Sequence, residues 1–326
     1  MHELPLREHF DNLNGGAAPG PARRSWILKS IGAVVLLIAG VYLVSRIRES
    51  AISTRDLVPW GVLARVVVAG AAAYGALQVL LADSWLSLLG SLGATVERRE
   101  AYRIFGRTQI LKYVPGNVFH LAGRHFMSRS LAGHGALGTA TVLEAGSLLT
   151  AGVVVSIPAL AHYGFSVAGN RLWITLILAA CLLGAAAIVY FGFLDKRLPR
   201  MPSLHPAKLL RAVTLHAAFL LLAGLIFAFA VRSTAQDVQI SLPIAVSTYA
   251  LSWMAGYATP GAPGGIGVRE AVIVATLGSR LGTSHALVVS AVFRIVTTLG
   301  DVLFFLVSLG LGDRRAPELP SDNPGR

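Results

Sequence analysis

Thr259-Pro260-Gly261-Ala262-Pro263-Gly264-Gly265-Ile266-Gly267, with its shorter companion Val114-Pro115-Gly116-Asn117, decides how this chain is read. Both stretches interrupt apolar sequence with helix-breaking residues. At membrane depth such a break strands backbone N–H and C=O groups, and is tolerated only where protein covers it or water or ligand reaches it. Pro260 follows Pro115 by 145 positions, and an arginine stands shortly after each break, Arg124 and Arg269. Paired interruptions at corresponding places in two similar halves point to a transporter-like site near the bilayer midplane.

The rest of the composition agrees. Of 326 residues 54% are apolar and only 13% charged, with a mean hydropathy of +0.65. A soluble domain carries more charge than that to cover its surface. The net charge of +12 does not point to nucleic acid, because the basic residues cluster between apolar runs. That is the pattern of loops facing anionic headgroups and the cytoplasm. One cysteine, Cys181, excludes an internal disulfide framework and a cysteine-based zinc site. The first 25 residues are polar, with no cleavage site after the first apolar run, so that run is expected to be retained as a span.

Full spans are expected at about residues 26–44, 57–81, 136–160, 172–193, 212–231 and 285–309, each able to cross roughly 30 Å of hydrocarbon. Residues 1–25 and 312–326 read as polar cytoplasmic tails around one transmembrane domain, 26–311. The positive-inside rule also places 93–103 and 194–211 in the cytoplasm. The fold expected is therefore an all-α polytopic membrane protein. It has six full spans and two broken, re-entrant helical hairpins, in a bacterial plasma (inner) membrane with both termini inside. The halves, about 57–160 and 209–310, run in opposite directions as an inverted-topology repeat. Eight ordinary spans with glycine-rich kinks is the alternative.

Two motifs then carry a resemblance. Lys112-Tyr113-Val114-Pro115-Gly116-Asn117, followed by Arg124, and Pro263-Gly264-Gly265-Ile266-Gly267-Val268-Arg269-Glu270, followed by Arg294, make the chain resemble the lysylphosphatidylglycerol synthase transmembrane-region family, the flippase-like membrane domain. The likeness covers about residues 27–310. It implies movement of a lipid or lipid-linked sugar across the bilayer. The family's first element commonly ends in glycine where this chain has Asn117. In the full-length synthases a soluble aminoacyl-transferase domain follows, whereas this sequence ends at Arg326, so no aminoacyl transfer is expected.

A break inside the membrane exposes the first N–H groups of the next short helix, an anion site that a neighbouring guanidinium strengthens. Arg124 and Arg269 are candidates to hold a lipid phosphate this way, against local capping or snorkelling to headgroups. Glu144 and Arg294 lie mid-span at comparable places, where charge persists only when paired or functional. A Glu144–Arg294 pair across the halves would satisfy both, as would a phosphate at Arg294 and a proton at Glu144. Arg107 and Lys112, with Arg103, either steer headgroups or anchor the helix at the interface. Tyr113, Asn117 and Glu270 complete the candidate substrate-binding set, with Pro115, Gly116, Pro260, Gly261, Pro263, Gly264, Gly265 and Gly267 as the backbone breaks. His120 and His125 match zinc-ligand spacing only loosely, with no HExxH pattern, and no metal or other cofactor is expected. Tyr74, Tyr249, Trp253 and Tyr257 read as packing or interface aromatics.

No Walker motif or nucleophile elbow is present, so no catalytic residue is assigned. The expectation is a translocator of an anionic lipid or polyprenyl-phosphate-linked substrate. Its partners are membrane lipids and a lipid-modifying enzyme, not nucleic acid. The alternatives are an integral-membrane transferase acting on a lipid phosphate and a scaffold for a lipid-modifying enzyme.

Overall fold

The computed structural model describes residues 58–114, 119–163, 204–235, 238–259 and 263–312. The expected spans at 26–44 and 172–193, both tails, and Pro115, Gly116, Asn117, Pro260 and Gly261 lie outside the described residues. Within them the chain is helical and contains no strand.

Pro59 precedes α1, Trp60–Ser91. Then come α2, Arg98–Gln109, a 3₁₀ turn Ile110–Tyr113, α3, Phe119–Ser128, and α4, His134–Tyr163. The second set is α5, Pro206–Thr234, which starts on a proline whose missing N–H would be unpaired there anyway, and α6, Leu242–Ala258. A 3₁₀ turn Pro263–Gly265, α7, Val268–Leu281, and α8, Thr283–Gly310, complete it. Four of these, α1, α4, α5 and α8, are long and apolar enough to cross a membrane. Their outer faces carry exposed aliphatic side chains such as Val68 (71%) and Val307 (62%), as contact with lipid requires. The chain is an all-helical protein with the makings of a membrane protein.

Every helix of the first set has a counterpart in the second: α1 with α5, α2 with α6, α3 with α7, α4 with α8. The packing respects that correspondence. α1 packs on α8 as α5 packs on α4, α2 on α8 as α6 on α4, and α3 on α4 as α7 on α8. α1 and α5 meet each other, and so do the two 3₁₀ turns. The halves therefore interlock, each broken segment lying against the other half's long helix. Apolar attraction between helices is weak in lipid, so close backbone approach must replace it. The α1–α8 crossing shows this: a Cβ on Gly300 would stand 2.9 Å from the Gly75 nitrogen and 3.0 Å from the Ala71 oxygen.

One end of the bundle gathers the basic segments. The His205 N–H donates to the Ser91 carbonyl at 3.0 Å, Lys208 Nζ to Gly90 O at 2.8 Å, and Gly312 lies beside Arg99. At the other end Arg280 Nη2 and His162 Nε2 are 2.8 Å apart, joining α7 to α4. α1 runs ten residues beyond the expected end at 81 because its polar last turns are satisfied. Asp83 binds Arg98 (2.5 Å) and Tyr102 (2.8 Å), and Ser87 donates to the Asp83 carbonyl.

Candidate functional site

Each half holds an ion pair between its short helix and the long helix that follows, with the signs exchanged, the first buried and the second partly exposed at Glu270. In the first, Arg124 on the short helix α3 donates from Nη1 to both Glu144 oxygens of α4, at 2.5 and 2.6 Å. Its Nη2 reaches Gln109 Oε1 at 3.1 Å, and the guanidinium lies 3.9 Å from the Phe105 ring centre. In the second, Glu270 on α7 meets Arg294 on α8, with Nε–Oε1 at 2.8 Å. Glu144 is the eleventh residue of its helix and Arg294 the twelfth. The expected Glu144–Arg294 pair across the halves is thus not formed. Each partner comes instead from the short helix joined to the span by a tight connection, which is already within reach.

Arg294 also repairs the second break. Its Nη1 donates to Gly264 O at 2.8 Å and its Nη2 to Gly265 O at 3.0 Å, two carbonyls that the interrupted helix would leave bare. Glu270 Oε2 accepts the Gly267 N–H at 2.7 Å. The turn needs positive φ at Gly264 (55°), Gly265 (73°) and Gly267 (84°), which glycine adopts without penalty. Polarity and backbone chemistry agree here, since the residues that permit the break expose the oxygens that the arginine binds.

A third group ties the halves together. Asp301 on α8 is fully buried and accepts from Lys112 Nζ (2.7 Å), Tyr113 Oη (2.6 Å) and Gln78 Nε2 (2.6 Å). Lys112 and Tyr113 sit on the first 3₁₀ turn, and the Tyr113 ring packs over Gly264 of the second. The carboxylate balances Lys112 in full, so this lysine bridges the halves.

Between the two turns lies a small cavity of ≈ 30 Å³. By the space one water needs, it holds about two waters. Gln109, Lys112, His120 and Glu144 line it from the first half, and His216, Trp253, Tyr257, Gly264, Gly265 and Arg269 from the second. Trp253 and Tyr257 are stacked with centroids 5.1 Å apart, and the Arg269 guanidinium lies 5.1 Å from the Trp253 ring centre. Arg269 differs from its neighbours. Its Nε is buried without a hydrogen-bond partner, and no carboxylate or carbonyl accepts from it among the described residues.

Of the residues expected to form the site, the structure brings Lys112, Glu144, Gly264, Gly265 and Arg269 to the cavity wall. Arg124, Tyr113, Glu270 and Arg294 stand directly behind it as partners. Arg107 is partly exposed on α2 and does not line the cavity, and Gly267 is exposed. The sequence reading gave no role to Gln78, Gln109 and His216, and considered His120 only as a metal ligand. A polar side chain within an otherwise apolar span was the available signal. Ser147 and Ser84 hold His216 Nδ1 at 2.9 and 3.4 Å.

No protein-family model matches the chain, and no curated protein matches it either.

Proposed function

We propose that the chain is a flippase-like translocator of an anionic lipid or lipid-linked, polyprenyl-phosphate-type substrate. One observation carries the reading. Arg269 is the one cavity-lining arginine or lysine with no acceptor among the described residues, while Lys112 beside it is balanced by Asp301 and Arg124 and Arg294 behind it by Glu144 and Glu270. A guanidinium whose Nε is buried and which meets no carboxylate among the described residues is disfavoured unless an anion arrives, and arginine binds phosphate in a two-point geometry.

The position of the cavity supports the same reading. It lies where two interrupted helices meet, between interlocked halves, the setting in which transporters place substrate at the midplane. With the basic end of the bundle in the cytoplasm, the two sets run opposite ways as an inverted repeat. The short segments are then re-entrant hairpins within a six-span, multi-pass plasma-membrane protein. Membrane lipids are its partners in this reading, and a lipid-modifying enzyme supplies or consumes the cargo.

The test is translocation in proteoliposomes carrying labelled anionic phospholipid or polyprenyl phosphate. The wild type moves one of them above empty vesicles, and Arg269→Ala loses at least about tenfold of the rate, the value of one charge-assisted hydrogen bond. An Arg269→Ala protein that elutes as a single species and moves lipid at the wild-type rate overturns the proposal.

A further inference from the structure

Each short helix that follows a break sends one side chain to the cavity wall, His120 from α3 and Arg269 from α7. Each has a buried nitrogen without a hydrogen-bond partner among the described residues, Nδ1 of His120 and Nε of Arg269. His120 is only 6% exposed. No carboxylate contacts it among the described residues, since both Glu144 oxygens are held by Arg124. The charges acting on its ring are Arg124 on its own helix and Lys112 on the preceding turn. Arg269, Lys112, Glu144, His216 and Tyr257 are the other titratable groups of the wall.

With the pairs Lys112–Asp301, Arg124–Glu144 and Arg294–Glu270 balanced, Arg269 leaves the cavity one positive charge in excess. A phosphate diester cancels that charge and asks nothing of His120. A phosphate monoester carries about −1.5 to −2 at pH 7, so nearly one negative charge would remain, in surroundings where unbalanced charge is strongly disfavoured. A proton on His120 removes the excess and lets both imidazole nitrogens donate.

We propose that His120 is the second anion-binding residue of the cavity, with Arg269, and that it acts as an imidazolium on a terminal phosphate monoester. The anion enters with one proton, drawn from solvent onto the ring, and no covalent bond changes. The inference rests on the translocator reading but separates from it, because a phosphodiester lipid would satisfy that reading alone.

The experiment uses the full chain in detergent and calorimetry at pH 7.5 in two buffers of different ionisation enthalpy. The probes are dodecyl phosphate, didodecyl phosphate and inorganic phosphate. Dodecyl phosphate is expected to bind about tenfold more tightly than didodecyl phosphate, the value of one added charge-assisted contact, and to take up close to one proton. His120→Asn loses the uptake and the preference yet still binds the diester. His120→Lys, with a fixed charge, keeps the preference without uptake. Arg269→Ala weakens both alkyl phosphates. Uptake that persists in His120→Asn, or equal binding of monoester and diester, overturns this inference and leaves the translocator reading standing. Binding of neither alkyl phosphate to folded protein overturns both. Inorganic phosphate binding as tightly as dodecyl phosphate assigns the site to the free ion and overturns the lipid part.

Discussion

Arg269→Met and Arg294→Met exchange the same two side chains at neighbouring places and should move stability in opposite directions. Methionine keeps the length of the stem and removes the charge. At Arg269 the loss is the contact with Trp253, about 0.5–2 kcal/mol for a cation over an aromatic ring. The gain is relief of a buried Nε with no acceptor among the described residues, about 1–3 kcal/mol for an unsatisfied polar group. The net is a stabilisation of about 1 kcal/mol. At Arg294 the same change strips Glu270 of its partner, a loss of about 3–5 kcal/mol for a buried pair. It also bares the Gly264 and Gly265 carbonyls that Nη1 and Nη2 now hold. Roughly 2–4 °C accompanies each kcal/mol in a chain of this order of size. In detergent at one fixed scan rate, which irreversibility demands, Arg269→Met should therefore melt a few degrees above wild type and Arg294→Met about 10 °C below it. Translocation should vanish in both. An Arg269→Met protein that melts as low as Arg294→Met would show that Arg269 is a paired structural residue, and the anion-site argument would fall with it.

Other expectations follow from the same contacts. Glu144→Gln leaves the Arg124 charge without its counter-ion and should lower stability by about 3 kcal/mol. Arg124→Glu combined with Glu144→Arg should recover most of it, because the second half already uses that polarity, and thermal melts of the three variants decide it. A cycle of Lys112→Met, Asp301→Leu and the double variant should give a coupling of about 1–3 kcal/mol, and strict additivity would refute the cross-half tie. Gly264→Ala places a side chain at φ 55°, its Cβ 3.0 Å from the Tyr113 ring, and should lower the melting temperature by several degrees; unchanged melting would mean that the turn repacks freely, since a left-handed residue with a side chain is disfavoured by about 1–2 kcal/mol.

The long helices were legible because hydrophobic length and prolines at helix starts are local signals. The expected spans at 136–160, 212–231 and 285–309 fall inside α4, α5 and α8. The end of α1 was not legible, because Asp83 is read as a stop unless Arg98 and Tyr102 are known to reach it from another helix. The breaks and the charged residues around them were equally plain. Their pairing was not, because a mid-span Glu144 and a mid-span Arg294 complement each other on paper as well as either complements its true partner. What decides is connection length. Arg124 and Glu144 are joined by one short turn between α3 and α4, and Glu270 and Arg294 by a single glycine between α7 and α8. The value of His120 was hidden for a related reason: it shows only once the fold brings His120 and Arg269 to the wall of one cavity.

That shared wall also bears on how such a site would work. Each ion pair is neutral within its half, and Lys112 of the first half is balanced by Asp301 of the second, so these paired groups have no preference for either sign of cargo. The departure from balance is Arg269, with neutral or protonated His120 on the same wall, and that departure confines charge selection to the cavity. A cavity of ≈ 30 Å³ with room for about two waters cannot admit a phosphate and its ester group while the two turns remain in contact. Opening must part the Tyr113 ring from Gly264, a contact without a hydrogen bond, and either break or carry along the Lys112–Asp301 pair. The ring contact is the weaker of the two, and Lys112 has a long flexible stem. A hinge that slides Tyr113 off Gly264 while Lys112 follows Asp301 therefore opposes the least free energy. Under the proposed function Lys112→Met should slow translocation and also weaken dodecyl phosphate binding, because it leaves Asp301 unbalanced. Lys112→Met with Asp301→Leu removes the tether, keeps the charge balance, and should slow translocation with the affinity largely retained. In that double variant, an affinity that falls as far as in Arg269→Ala would instead place Lys112 on the anion itself.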